Sequence, residues 1–187
     1  MRIVAGKFRG RALTAPGNQT IRPTADRVRE SVFNIVAHGF DDISLNGARV
    51  IDLFAGTGAL GLEAMSRGAA FCLFVEDAAE ARALIRNHVE AFGLTGETRL
   101  FRRDATDLGP LGNMAPFSIA FLDPPYGKGL GERALMSLSG GGWLIAGALV
   151  VLEERAGTSL ELPSAYQAGD TRTYGDTDVH FLRYRPQ

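Results

Sequence analysis

Cysteine is nearly absent from this sequence of 187 residues. The single one, Cys72, lies inside the apolar run FCLFV, so no disulfide can form within the chain. A small buried thiol is the simplest interpretation of such a residue. The sequence therefore argues against a disulfide-stabilised secreted scaffold, and we expect a reducing, cytoplasmic setting.

Long apolar runs are also missing. No stretch of about 18 or more uncharged apolar residues occurs, which is the length that a membrane-spanning helix requires. The first residues, MRIVAGKFRGRAL, lack the uninterrupted apolar core of a signal peptide. We therefore expect no membrane partner.

Histidine is scarce as well. His38, His88 and His180 fall in three different predicted elements, with no cysteine or carboxylate at ligand spacing. Because a metal site needs several such ligands close together, we expect none here.

The small net charge of −1 hides an uneven distribution. Residues 1–30 carry seven basic and two acidic side chains, whereas the remainder carries 13 basic and 19 acidic ones. Clustered Lys and Arg attract phosphates and release counterions, so a basic N-terminal segment is typical of an arm that binds a polyanion. A solvated charged surface explains this feature equally well when it is taken alone.

Strand and helix patterns alternate along most of the chain. The glycine-flanked segments RIVAG and RGRAL predict a short N-terminal β-hairpin, and Thr24 is the predicted N-cap of a helix over about 25–38. Beyond it, the apolar spacing predicts strands at 50–54, 70–76, 98–101, 117–123 and 148–153, and helices at 59–67 and 78–92. This alternation is typical of an α/β fold with a mostly parallel, doubly wound sheet.

The end of the chain departs from that pattern. The segment YQAGDTRTYGDTDVHFLRYR is rich in Thr and Tyr and predicts an antiparallel hairpin that turns at Gly175 and Asp176. With 45% hydrophobic and 22% charged residues, the chain can bury the core of one domain. We expect a single domain over 1–187, made of a basic extension (1–23) and an α/β core (24–187).

A glycine-rich loop follows the strand predicted at 50–54. In VIDLFAGTGALGLEA, three glycines satisfy the GxGxxG spacing between a strand and a helix, where they permit a tight turn and close approach to a ligand. Glu76 lies 20 residues beyond Gly56, where a carboxylate can accept hydrogen bonds from ribose hydroxyls. The pattern specifies an adenosine-type cofactor and leaves open a dinucleotide or S-adenosylmethionine.

Three further acids favour the second of these cofactors. Asp52, before the glycines, would repel a pyrophosphate but suits an ammonium or sulfonium cation. Asp104, in RRDAT, ends another predicted strand, where it could accept a hydrogen bond from an adenine amino group. Asp123 opens the segment DPPY at the end of the strand predicted at 117–123.

Together these motifs carry a family resemblance. DLFAGTGALGLEA, FVED, RRDA and FLDPPY resemble the ordered motifs of class I S-adenosylmethionine-dependent methyltransferases, with the DPPY form of those that act on exocyclic amines of bases. With RIVAGKFRGRAL and IRPTADRVRESVFN added, nearly the whole chain resembles the bacterial 16S ribosomal RNA guanine-N2 methyltransferase family. The resemblance implies a Rossmann-like fold and methylation of a guanine N2 amine in small-subunit ribosomal RNA. It also implies a monomer acting on a small-subunit particle.

Site residues follow from the resemblance position by position. It implies that S-adenosylmethionine is held by seven residues: Asp52, Phe54, Gly56, Gly58, Glu76, Asp104 and Ala105. It assigns the target base and the chemistry to Asp123, Pro124 and Tyr126. Substrate binding is expected from four basic side chains: Lys7, Arg9, Arg22 and Arg27.

The chemistry of amine methylation fits the DPPY segment. An aromatic amine is a weak nucleophile, and two acceptors on its hydrogens, the Asp123 carboxylate and the Pro124 carbonyl, steer its lone pair toward the methyl group. The prolines fix the backbone and bring no competing N–H, while Tyr126 offers a stacking face worth about 1–3 kcal/mol. Adenine N6 methylation of DNA or RNA fits the same cradle. A nicotinamide-dependent oxidoreductase explains the glycines but not DPPY, and a non-catalytic RNA-binding module explains only the basic arm.

Overall fold

The computed structural model describes residues 1–15 and 23–186. Seven strands and four helices follow in this order: α1 (Pro23–His38), β1 (Arg49–Leu53), α2 (Ala59–Ser66), β2 (Phe71–Val75), α3 (Ala79–Ala91), β3 (Thr98–Phe101), β4 (Phe117–Leu122), α4 (Leu130–Gly140), β5 (Leu144–Arg155), β6 (Tyr166–Tyr174) and β7 (Thr177–Tyr184).

All seven strands form one sheet, in the order β3-β2-β1-β4-β5-β7-β6. The first five are parallel, and β7 runs antiparallel to both β5 and β6. The chain direction across the sheet reverses between β1 and β4. In open α/β sheets a ligand binds outside the carboxyl ends of the strands at such a reversal.

The predicted fold class is confirmed, and most elements differ from the prediction by one or two residues at their ends. The main difference is β5, which begins at Leu144 rather than near residue 148. A register shift between Phe117 and Ile119 lets its first residues join the sheet. At the N-terminus, the predicted β-hairpin is a single antiparallel bridge between Arg2 and Ala12.

The sheet has an apolar core on each face. Side chains alternate along a strand, so Phe121 and Val151 pack on the α1 face, whereas Leu122 and Leu152 pack on the α4 face. Cys72 is buried, as predicted, and so is Trp143, whose indole N–H donates to the Gly109 carbonyl at 2.8 Å. Among the helices in the described part of the chain, none combines the length and the apolarity needed to cross a bilayer.

The first residues of the chain are attached to α2. Glu63 is fully buried and accepts the backbone N–H groups of Val4 (2.8 Å) and Ala5 (3.0 Å). Its carboxylate also lies 2.8 Å from Arg67 Nε and 3.6 Å from Arg29 Nε. One buried carboxylate therefore joins the N-terminal segment, α1 and α2.

Candidate methyl-transfer site

Two cavities meet above the carboxyl ends of the parallel strands. The first, about 710 Å³, lies over β1, β2 and β3, and the second, about 660 Å³, extends toward β5 and the β6–β7 turn. Phe54, Asp123 and Tyr126 line both. Each volume is within the range of small-molecule sites, so a cofactor and a substrate group can lie side by side at these residues.

The glycine loop connects β1 to α2 at the wall of the second cavity. Gly56 and Gly58 have φ of 56° and 79°, in the left-handed region that favours glycine. A Cβ on Gly61 would lie 2.4 Å from a Phe74 ring carbon, so only glycine lets α2 pack this closely on β2. The first two glycines shape the turn and the third allows the packing, as the motif predicts.

Phe54 is the one non-glycine residue with positive φ, 58°, within the described ranges. Such a conformation is unfavourable for a bulky side chain and is found where the surroundings hold it, often at functional sites. Here it places the residue after β1 in the wall shared by the two cavities.

Asp52 lies at the base of the second cavity and is only 1% exposed. Its Oδ2 accepts the Gly61 N–H at 2.9 Å. Burial raises the pKa of Asp52 well above its usual value, although this hydrogen bond offsets part of the effect. A cation in the cavity would favour the ionised form, which suits the ammonium or sulfonium of S-adenosylmethionine.

Glu76 follows β2 and bridges two backbone segments. Its Oε2 accepts the Gly56 N–H at 2.8 Å and its Oε1 accepts the Ala78 N–H at 2.9 Å. Each carboxylate oxygen has a second acceptor position. The side chain can therefore hold the glycine loop and still receive ribose hydroxyls from the first cavity.

Asp104 and Ala105 close the far end of the first cavity. Hydrogen bonds from the Thr106 backbone N–H (2.8 Å) and hydroxyl (2.7 Å) hold the pKa of Asp104 below its usual range. Both hydrogen bonds are accepted by Oδ1, so Oδ2 can accept a hydrogen bond from an amino group. Ala105 is buried and offers an apolar surface to a flat ring.

Asp123 directly follows β4 and is exposed to the junction of the cavities. The protein around the cleft desolvates the carboxyl and raises its pKa to about 6, with a further contribution from Glu154. Pro124 is buried beside it, and both residues line the first cavity. At neutral pH Asp123 is therefore mainly an ionised acceptor facing the shared space.

Tyr126 is held from the opposite side by the C-terminal hairpin. Its hydroxyl lies 3.2 Å from Thr177 Oγ1, at the start of β7. Desolvation raises the pKa of Tyr126 to about 12, so the ring stays neutral. The next residue, Gly127, donates its N–H to the buried Glu154 at 3.0 Å. The carboxyl end of the DPPY turn is therefore held by two contacts.

One acid of the site was missed by the motif analysis. Glu153, in β5, lines the second cavity together with Asp52 and Asp123. Desolvation raises its pKa to about 8, and the nearby Asp123 and Asp52 add to the effect. The sequence signal was available, because VLEER places an acid late in a strand predicted to run parallel to the one that precedes DPPY.

Three of the predicted substrate-binding residues, Lys7, Arg9 and Arg27, do not line either cavity. Lys7 pairs with Glu97 at 3.6 Å, one residue before β3, and therefore near the amino ends of the strands. Arg9 and Arg27 are exposed, and Arg22 lies outside the described residues. The buried arginine at the second cavity is instead Arg29, which is 4% exposed and paired with Asp26 at 3.0 Å.

The arrangement suits group transfer between two bound molecules. The first cavity offers carboxylates for a ribose and an amino group, and its junction with the second offers the Tyr126 ring and the Asp123 carboxylate. An acceptor at this junction can reach a substrate amine while the glycine loop holds the donor.

Comparison with known proteins gives a consistent assignment. The family model described as Conserved hypothetical protein 95 matches residues 1–183. Ribosomal RNA small subunit methyltransferase D of Escherichia coli K12 is 40% identical over 162 residues, which cover 86% of this chain and 77% of that protein. Its namesake in Haemophilus influenzae is 32% identical over 94% of this chain and 89% of its own length.

Among solved structures, yhhF from Escherichia coli superposes with a TM-score of 0.84 at 31% identity, covering 100% of this chain and 99% of that chain. The family match and the strand order agree with the resemblance of the sequence motifs to class I methyltransferases. The chain therefore belongs to the family of conserved hypothetical protein 95, which includes the ribosomal RNA small subunit methyltransferases D, and it is a class I methyltransferase whose cofactor is S-adenosylmethionine.

Proposed function

We propose that this protein transfers a methyl group from S-adenosylmethionine to the N2 amine of a guanine in 16S ribosomal RNA. The observation that carries the proposal is the position of Asp123 and Tyr126 at the junction of the two cavities. A base stacked on Tyr126 would bring its exocyclic amine to Asp123, with the cofactor on the other side.

The proposed cofactor site combines the glycine loop with three strand-end acids. Asp52, Phe54, Gly56 and Gly58 would hold the methionine end, where the buried acid favours a cation. Glu76 would receive the ribose, and Asp104 with Ala105 would receive the adenine. When bound, the cofactor supplies an electrophilic methyl group.

The proposed catalytic groups act on the amine. One N–H would be accepted by the Asp123 carboxylate and the other by the Pro124 carbonyl, so the lone pair points at the methyl group. Positive charge grows on the nitrogen as the new bond forms, and the carboxylate stabilises that state more than the ground state. Asp123 can then accept the proton that the methylated nitrogen releases.

Ribosomal RNA is the substrate class that the relatives support. The printed names of the Escherichia coli and Haemophilus influenzae proteins are those of small-subunit ribosomal RNA methyltransferases. The basic N-terminal segment adds an independent reason, since it would bind phosphates through Lys7, Arg9, Arg22 and Arg27. We further propose that the chain acts as a monomeric single domain on a small-subunit particle.

The substitution D123N tests the role of the carboxylate. It removes the charge with little change in size, so we expect methyl transfer to fall by about 100-fold or more, while the affinity for S-adenosylmethionine stays within about threefold. Calorimetry measures the second quantity, and radiolabelled transfer to small-subunit particles measures the first. Normal turnover by D123N would refute the proposed mechanism.

A further inference from the structure

Glu153 faces the same space as Asp123 from the neighbouring strand. Leu122 of β4 pairs with Leu152 of β5, so Asp123 and Glu153 are the next residues along two adjacent parallel strands. Phe121 and Val151, two residues earlier, pack on the α1 face of the sheet. Because side chains alternate, both acids point to that same face, where the second cavity lies.

The structure does not use Glu153 to hold the fold. Within the described residues, no hydrogen bond or ion pair engages its carboxyl; Arg29, the cation at this cavity, pairs with Asp26 and Glu63 instead. Its neighbour Glu154 points to the opposite face and accepts N–H groups from Gly127 and Arg155. Glu154 therefore anchors the DPPY turn, whereas Glu153 is directed at the cavity.

Two acids at paired positions on adjacent strands can meet neighbouring groups along one edge of guanine. Adjacent strands lie about 4.8 Å apart, and the Watson–Crick edge of guanine presents O6, N1–H and the N2 amine in a row. A flipped base is read through hydrogen bonds to this edge. Guanine N1 carries a hydrogen and donates it, whereas adenine N1 has no hydrogen and is an acceptor.

We propose that Glu153 reads the target guanine, accepting its N1–H and donating to its O6, while Asp123 and Pro124 hold the N2 amine. This inference rests on the proposed function and assigns its base specificity to one side chain. Donating to O6 requires a neutral carboxyl, and the raised pKa of Glu153, about 8, meets that requirement at neutral pH.

A base analogue separates recognition from a structural role. Once the wild-type product has been mapped, synthetic RNA can carry either guanine or 2-aminopurine at the target position. The analogue keeps the N2 amine but lacks O6 and the N1 hydrogen. We expect wild-type kcat/KM to favour guanine by about tenfold or more, which is the order of discrimination that one bidentate pair to a base edge provides.

Three variants make the test specific. E153L should bring the guanine preference to within about threefold of unity, whereas E153Q, whose amide has the donor and acceptor of a neutral carboxyl, should retain it. E161Q, at an exposed acid that does not line either cavity, should leave the preference unchanged. Calorimetry with S-adenosylmethionine verifies that each variant is folded.

The outcomes distinguish this inference from the function on which it rests. If E153L lowers kcat/KM equally for both bases, or if the wild type uses both equally well, Glu153 does not read the base. If the wild type methylates no guanine N2 at all, the proposed function itself is wrong.

Discussion

At the scale of single residues, the site depends on acids held in different environments. Asp104 keeps its charge through hydrogen bonds, whereas Asp52, Asp123 and Glu153 are pushed toward the neutral form by desolvation. A cationic methyl donor next to Asp52 and Asp123 favours the ionised forms of these two groups. The site is therefore electrostatically suited to a positively charged cofactor.

The raised pKa of Asp123 predicts an acid limb in the pH profile. In the proposed mechanism the ionised form accepts the amine, so kcat/KM should be half-maximal near pH 6 and about tenfold lower at pH 5. The profile is measured at constant ionic strength because RNA binding depends on salt. A profile that stays flat from pH 8 to pH 5 would show that this carboxyl is not needed in ionised form.

At the scale of elements, two buried polar groups connect the N-terminal segment to the rest of the fold. Besides Glu63, His88 of α3 accepts the Thr14 N–H on Nε2 at 2.9 Å and donates from Nδ1 to the Thr57 carbonyl at 3.0 Å. Desolvation lowers the pKa of His88, which keeps this neutral tautomer. The segment that precedes the basic residues of α1 is thus tied to the glycine loop.

The Glu63 carboxylate should contribute strongly to stability. E63A leaves the Arg29 guanidinium and two backbone N–H groups without their buried acceptor, so we expect the free energy of unfolding to fall by about 3–5 kcal/mol. Urea denaturation measures the change.

E97A is the matched control. It breaks the ion pair with Lys7, in which both side chains are 49% exposed, and should lower the free energy of unfolding by less than about 1 kcal/mol. Equal losses in the two variants would show that the buried carboxylate has no special role.

Periodicity and motif spacing were enough to predict the parallel sheet, its C-terminal hairpin and the acids at the strand ends. They did not predict the start of β5, because its first residues join the sheet through a register shift that leaves no periodic signal. Glu153 was missed for a related reason: its importance comes from the cavity it shares with Asp52 and Asp123, and it belongs to no local motif.

At the scale of the whole molecule, acidic and basic side chains occupy different regions. The acids surround the cavities, whereas the N-terminal basic residues described here lie on the surface or, like Arg29, in buried pairs. Such a distribution suits a large polyanion that is held by an outer surface while one base enters an acidic pocket. We propose that the acidic pocket selects the amine and that the outer surface supplies affinity.

The identity of the methylated nucleoside tests the central claim most directly. Small-subunit particles from cells that lack this protein are incubated with it and with labelled S-adenosylmethionine, and the RNA is digested to nucleosides for mass analysis. We expect the label to appear in N2-methylguanosine and to disappear with D123N. Label in N6-methyladenosine, or no transfer by the wild type, would contradict it.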